Sequence, residues 1–414
     1  LKGKLILLAS SVLILSTLIP VACSDIEITL PENTESIEPI AIGNVSMMGG
    51  ISESPTGVCV SGNGITFTVS SNPWWEFIRG DSPSSLIAWS TDGAVLWANR
   101  YSSWTVLLFD VAVDGPNVYV TGRHSSDLFL GKFDLQGYNL WNTTWDWWNN
   151  TSGYTTGSTI CLLNDGTIIV TGYSSDYSEG REYHFVVAFN DSGQPQWHEM
   201  YELTPWIISD SDFFYVLGNR SLQKRDGSGS VIWSTTESLL SRLACVSEQR
   251  LYTYDYWGLF PSTSINITAR SITTGYEVAS TSLTLCNSQG EPYNRTGVDF
   301  ETTDDGSPMV LMGVQNGGWY LEGLNRSLQL ETHANLLDEG WQTALFEIDD
   351  NGYIRVAGLH DVLGLTLAVF SSDQLTPATG TASGYDLLLM GATVAGVAVF
   401  DAVFILYLKK KHPV

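Results

Sequence analysis

Between residues 50 and 372 the apolar positions fall into short alternating runs broken by turns rich in Gly, Asn and Asp. Period-2 alternation of this kind predicts β-strands. Four of the runs end alike, with a glycine followed four residues later by a tryptophan: Gly93 and Trp97, Gly137 and Trp141, Gly193 and Trp197, Gly229 and Trp233. Each copy has a strand pattern, a polar turn closed by the glycine, and a second strand that begins with an aromatic plug, expected to pack between neighbouring repeats.

A second hairpin signature lies between these segments. It reads Val111-Ala-Val-Asp-Gly-Pro-Asn-Val-Tyr-Val-Thr-Gly122 in one copy and Cys161-Leu-Leu-Asn-Asp-Gly-Thr-Ile-Ile-Val-Thr-Gly172 in another. Asn-Gly and Asp-Gly steps suit hairpin turns because they tolerate positive φ. Weaker copies bring the strand ends to about residues 70, 122, 172, 218, 254, 313 and 358, roughly 48 residues apart, close to the length of a four-stranded propeller blade. The predicted fold is therefore all-β: a β-propeller of seven four-stranded blades over residues 40–372, with six or eight blades as alternatives. The last unit, Leu365 to Phe370, stops before its fourth strand, so the segment Ile37 to Met48 is expected to supply it.

The segment Ala88-x-x-x-x-Gly93-x-x-Leu96-Trp97 resembles the blade motif of the pyrroloquinoline-quinone-like propeller repeats, and Asp114-Gly115-x-x-Val-Tyr-Val-Thr-Gly122 is similar to repeats of prokaryotic secreted propellers. The resemblance covers about residues 50 to 372. It implies a fold and leaves the activity open, since propellers host many functions. The quinone-dependent dehydrogenases of this family carry adjacent cysteines at the cofactor, and this chain has no Cys-Cys, so quinone binding is not expected.

The ends predict a location. Lys2 and Lys4 precede an apolar run from Leu5 to Ile19 and then Val21-Ala-Cys-Ser24, the three parts of a signal peptide over residues 1–24. A retained anchor helix and a lipidated Cys23 are the alternatives. An acidic linker is expected at 25–39 and a Ser/Thr/Gly stalk at 373–386. Leu387 to Leu408 is apolar apart from Asp401 and, as a helix of about 33 Å, reaches across a bilayer. Lys409, Lys410 and Lys411 open a basic tail over 409–414, which the positive-inside rule places in the cytoplasm with the propeller outside. Asp401 is costly within a bilayer, and Gly391-x-x-x-Ala395 offers a close-packing face for a partner helix.

The formal net charge of −25 argues against nucleic acid as a partner. Nine Asn-x-Ser/Thr sequons start at Asn44, Asn142, Asn149, Asn150, Asn190, Asn219, Asn266, Asn294 and Asn325. All fall on the outward side of this topology, the pattern of a glycosylated surface protein. Cys59, Cys161 and Cys245 hold nearly equivalent places in alternate repeats and read as buried thiols, with a Cys245–Cys286 bridge, in consecutive strands of one region, as the alternative.

No catalytic constellation stands out. The histidines are scattered, with no His-x-x-x-His or Cys-x-x-Cys spacing, no Gly-x-Ser-x-Gly elbow and no phosphate loop. Acidic turns at Asp304-Asp305, Asp349-Asp350 and Asp210 to Asp212 read as solvated turns, with Ca²⁺ ligation as the alternative. The remaining functional signal is aromatic. Trp145, Trp147 and Trp148 form one candidate ligand surface and Trp74 and Trp75 another, since rings beside Asp and Asn can stack on sugar faces. Their alternative role is packing between blades, a role expected also of Trp104, Trp206 and Trp341. The expectation is a binding or scaffold module for a protein or glycan, without cofactor. A secreted-side propeller hydrolase or lyase with a carboxylate site in its funnel and a scaffold in envelope assembly are the competing readings.

Overall fold

In the computed structural model the described residues are 23–29, 37–45, 54–71, 84–101, 105–146, 153–178, 180–238, 241–255, 264–286, 289, 292, 295–315, 318–337, 341–360 and 364–377. They belong almost wholly to one compact unit, Leu1–Thr376; a second, Pro377–Val414, lies outside the described residues after its first residue.

Two strands, β1 (Cys23–Thr29) and β2 (Ala41–Val45), precede the first blade. Blade 1 comprises β3 (Ser54–Val60), β4 (Thr66–Ser71), β5 (Ser84–Trp89) and β6 (Val95–Tyr101). Blade 2 follows with β7 (Val106–Asp114), β8 (Asn117–His124), β9 (Asp127–Asp134) and β10 (Asn139–Trp145). Blade 3 is β11 (Gly153–Leu162), β12 (Ile168–Asp176), β13 (Arg181–Phe189) and β14 (Pro195–Tyr201). Blade 4 is β15 (Trp206–Ser209), β16 (Phe213–Gly218), β17 (Ser221–Asp226) and β18 (Val231–Thr236). Blade 5 is β19 (Ser241–Val246), β20 (Arg250–Asp255), β21 (Ser264–Ser271) and β22 (Glu277–Cys286). Blade 6 is β23 (Arg295–Thr302), β24 (Pro308–Val314), β25 (Trp319–Leu324) and β26 (Leu330–Leu337). Blade 7 has three strands from its own repeat, β27 (Trp341–Ile348), β28 (Tyr353–His360) and β29 (Gly364–Ser371). Within each blade consecutive strands pair as antiparallel neighbours, so the first is innermost and the fourth outermost. The molecule is a seven-bladed β-propeller.

The fourth strand of blade 7 comes from the N-terminal side, as expected. Strand β2 pairs antiparallel with β29, Ala41 facing Val369 and Val45 facing Leu365. The seam is reinforced by an ion pair: Arg355 on β28 contacts Asp349 at 2.6 Å, both fully buried, and its guanidinium donates to the carbonyl of Thr91 in blade 1. Strand β1, Cys23–Thr29, which takes in the last two residues of the expected signal peptide and the first five of the expected linker, lies as a fifth strand parallel to β22, with Cys23 opposite Ser280 and Thr29 opposite Cys286. That covers the outer edge of blade 5, an edge that would otherwise present unpaired main-chain groups.

The glycine–tryptophan motif links each blade to the next. Trp97 of blade 1 lies against the turn glycine of blade 2, so close that a methyl group on Gly137 would sit 2.8 Å from Cδ2 of the indole. Trp141 meets Gly193 in the same way, Trp197 meets Gly229, and Trp233 meets Gly275. Trp97, Trp197 and Trp233 also donate their indole N–H to main-chain carbonyls of the following blade, those of Leu135, Gly227 and Ile272. The four rings are half-buried. The sixth repeat has no glycine at this turn, where Leu328 adopts φ 61° with its side chain fully buried. Between the sheets, apolar faces form the core, as where Phe67, Leu86 and Ala88 of blade 1 meet Leu108, Val118 and Val120 of blade 2.

The alternative Cys245–Cys286 bridge does not exist: Cys59, Cys161, Cys245 and Cys286 are free, buried thiols. Cys245 lies on the innermost strand of blade 5 and Cys286 ends the outermost, three strand spacings apart. That is about 14 Å at ~4.8 Å per strand, twice the reach of a disulfide.

Candidate functional site

The innermost strands are sheet edges that face the central channel, and their unpaired N–H groups need acceptors. Two aspartates supply them. Asp110 on β7 accepts from Val111 of its own strand and from Ile160 on β11 of blade 3, each at 2.9 Å. Asp299 on β23 accepts from Phe300 at 3.0 Å and from Phe346 on β27 of blade 7 at 2.8 Å. Each carboxylate therefore ties one blade to the next. Two hydroxyls add bonds between blades as donors, Thr56 of blade 1 to the Leu108 carbonyl of blade 2 and Thr302 of blade 6 to the Val246 carbonyl of blade 5.

Further along the inner strands, the buried carboxyl groups of Glu301 of blade 6 and Glu347 of blade 7 lie close enough to interact, and burial together with their mutual repulsion favours a proton held between them. The buried thiols of Cys59, Cys161 and Cys245, on the innermost strands of blades 1, 3 and 5, lie within electrostatic range of these acids.

Desolvation dominates the electrostatics here. It raises Asp110 to about 7 and Asp299 to about 6, against the opposing effect of their main-chain hydrogen bonds. Glu301 and Glu347 are both raised, by desolvation first; their neighbours' negative charge adds to this. Burial also pushes the thiols up, Cys161 to about 12, and the channel carboxylates raise all three further. A thiol held protonated is a poor nucleophile and a poor metal ligand. No cation contributes to any of these shifts. The Glu301–Glu347 pair is thus the part of the channel with acid–base capacity, while Asp110 and Asp299 are committed to the backbone.

Outside the channel, Glu322 is fully buried in blade 6 and meets Nδ1 of His333 at 2.7 Å. Burial raises Glu322 to about 7. Burial opposes the charged imidazole of His333, but Glu322 outweighs it and the histidine is raised.

The acidic turns spend their oxygens locally. Asp349 accepts from the main chain of Asn351 and Tyr353 as well as from Arg355, and Asp210 from Asp212, Phe213 and the Tyr215 hydroxyl. Asp305 takes Thr303 and Ser307. Among the described residues no three His, Cys, Asp or Glu side chains are grouped as metal ligands.

Of the candidate ligand-surface tryptophans, Trp145 is half-buried and packs edge-on against Phe185 of blade 3, ring centroids 5.0 Å apart, with Phe189 and His198 beside it. The outermost strand of blade 2 turns it into the blade 3 interface. Trp74, Trp75, Trp147 and Trp148 lie outside the described residues, as do Trp104, Asn149, Asn150, Asn294 and Asp401. Trp341 is buried and accepts the Trp319 indole N–H at its carbonyl. Trp206, expected as a plug, is 38% exposed and lies under the Arg242 guanidinium at 4.5 Å, because it opens a four-residue strand at the rim. Among the sequons, Asn142, Asn219 and Asn266 are exposed, and the Asn190 and Asn325 side chains each cap a turn by accepting two main-chain N–H groups.

Sequence reasoning missed the channel acids. Their signal was present in Phe109-Asp-Val, Val298-Asp-Phe-Glu and Phe346-Glu, where an acid interrupts an otherwise apolar strand.

No protein-family model matches the chain, and no curated protein matches it. Solved structures do. The WD40 domain of Neurospora crassa Pan2 aligns over 83% of this chain and 98% of its own, with a TM-score of 0.54 at 8% identity. Pyrococcus horikoshii acylaminoacyl peptidase aligns over 82% of this chain and 54% of its own, with a TM-score of 0.50 at 9% identity. The chain thus spans about half of that peptidase's length. At these identities the likeness is one of fold.

Proposed function

We propose that the protein is a surface-displayed propeller that acts as a binding or scaffold module for a protein or glycan, anchored by Leu387 to Leu408 with Lys409 to Val414 in the cytoplasm. The observation that supports this reading best is the commitment of Asp110 and Asp299 to joining blades rather than to open chemistry. The pyrroloquinoline-quinone-like repeat resemblance belongs to the same reading, as an affiliation of the blades and not of the cofactor. The topology is tested by protease treatment of intact cells carrying a tag after Val414. An acidic fragment should be released while the tag survives; digestion of the tag in unbroken cells contradicts the orientation.

One observation favours the alternative of a channel hydrolase or lyase, the proton-sharing Glu301–Glu347 pair. Paired carboxyls can divide acid and base roles. On that reading Glu347→Gln abolishes turnover of a substrate while leaving its binding intact.

A further inference from the structure

A groove of about 670 Å³ runs between the outer strands of blades 1 and 2. Its volume falls within the ~300–1,000 Å³ range of small-molecule sites. At its base lie Phe129 and Phe133 of β9, both buried in the core between the two blades. One wall carries Asn99 and Tyr101 from β6, and the other carries Tyr138, Asn139 and Asn142 at the start of blade 2's outer strand. Arg100 and His124 complete the lining.

Three properties single this groove out. Tyr138 is 72% exposed, an aromatic ring held in water beside a concave surface. Three of the groove's residues are asparagines. Asn99 spends an amide hydrogen on the Gly137 carbonyl at 2.7 Å, which fixes its side chain across the blade junction. Asn142 donates to Asn139, so those two amides are aligned along the wall. The lining also contains no carboxylate, in a chain with 44 acidic and 19 basic residues. By contrast, the hollow between blades 3 and 4, about 390 Å³, has Asp165 and Asp191 in its wall.

We propose that this groove binds an oligosaccharide bearing a carboxylated sugar, a proposal that rests on the reading of the protein as a binding module and locates its site. The C–H face of a sugar ring packs on Tyr138, and the asparagine amides take hydroxyl groups as both donors and acceptors. The sugar carboxylate lies toward Arg100, whose planar guanidinium suits it.

The test uses the full-length chain made in a host without N-glycosylation, which leaves Asn142 unmodified. Trigalacturonate, the neutral trisaccharide chitotriose and an acidic pentapeptide are titrated by calorimetry. Trigalacturonate should bind, with chitotriose at least tenfold weaker. Tyr138→Ala, at an exposed position, should weaken trigalacturonate at least tenfold without changing the melting temperature, and Arg100→Gln should erase the preference over chitotriose. Sugar binding that Tyr138→Ala and Arg100→Gln leave untouched overturns the groove while the binding-module reading stands. Binding of the peptide but neither sugar, or of none of the three, overturns the proposed ligand class. Cleavage of a bound sugar would count against the module reading itself.

Discussion

The Asp299 carboxylate of blade 6 accepts the main-chain N–H of Phe346 in blade 7 at 2.8 Å, the same bond that Asp110 makes from blade 2 to Ile160 in blade 3. Asp110→Ala and Asp299→Ala each leave two strand-edge N–H groups without an acceptor. Each should cost about 2–4 kcal/mol in stability, read as a lower urea midpoint with unchanged slope. A loss below ~0.5 kcal/mol in both variants, the scatter of ordinary surface substitutions, would show that water serves these groups equally well.

Contact between Trp97 and Gly137 sets a second expectation. Gly137 has φ 83° and no room for a methyl beside the indole. Gly137→Ala should cost roughly 2–3 kcal/mol, from the left-handed backbone and the clash together. In a Trp97→Ala background the clash is gone and only the backbone cost of about 1 kcal/mol remains. Equal costs in both backgrounds would mean that the two residues do not couple.

Stability should fall as pH rises from about 5 to 8. Asp110, Asp299 and Glu322 have folded values of about 7, 6 and 7, above those of free carboxyls, and Glu301 and Glu347 are also raised. A raised carboxyl holds its proton more tightly in the folded state. Its contribution is therefore complete below the unfolded value near 4 and is lost as pH climbs through the folded one. Asp92, Asp226 and Asp305 are lowered, chiefly by hydroxyl hydrogen bonds from Ser90, Ser228 and Thr303, and act in the opposite direction, losing their contribution below pH 4. Glu347→Gln removes one ionisable partner and should flatten the alkaline fall in melting temperature. An unchanged pH profile in that variant would refute the shared proton.

Closure by β2 can be tested by truncation. A chain beginning at residue 37 keeps Ala41–Val45 against β29, while one beginning at residue 46 leaves that edge open. The shorter chain should melt at least about 10 °C lower or associate through the bare edge. Equal melting temperatures would place the closing strand elsewhere.

The repeat was legible because its chemistry is local. A glycine at positive φ and a tryptophan four residues on mark the same turn in blades 1 to 4, and the missing fourth strand of blade 7 pointed to the N-terminal donor. Leu328 was not legible, because a leucine in the left-handed region is sustained by full burial, which no local pattern records. The Cys245–Cys286 alternative failed for a related reason: nearness in sequence hid the two strands between them. The channel acids depend on which strand edges converge, and the groove between blades 1 and 2 joins residues from separate repeats. Their composition could be read, but their assembly could not.

The central claim is recognition without turnover. The most direct measurement incubates the full-length chain with trigalacturonate and follows binding by calorimetry and product by mass spectrometry, with Tyr138→Ala and Glu347→Gln in parallel. The account expects binding that Tyr138→Ala weakens at least tenfold, that Glu347→Gln preserves, and that yields no product. Product formation by the unaltered chain, lost in Glu347→Gln, would contradict it and place an enzyme in the channel.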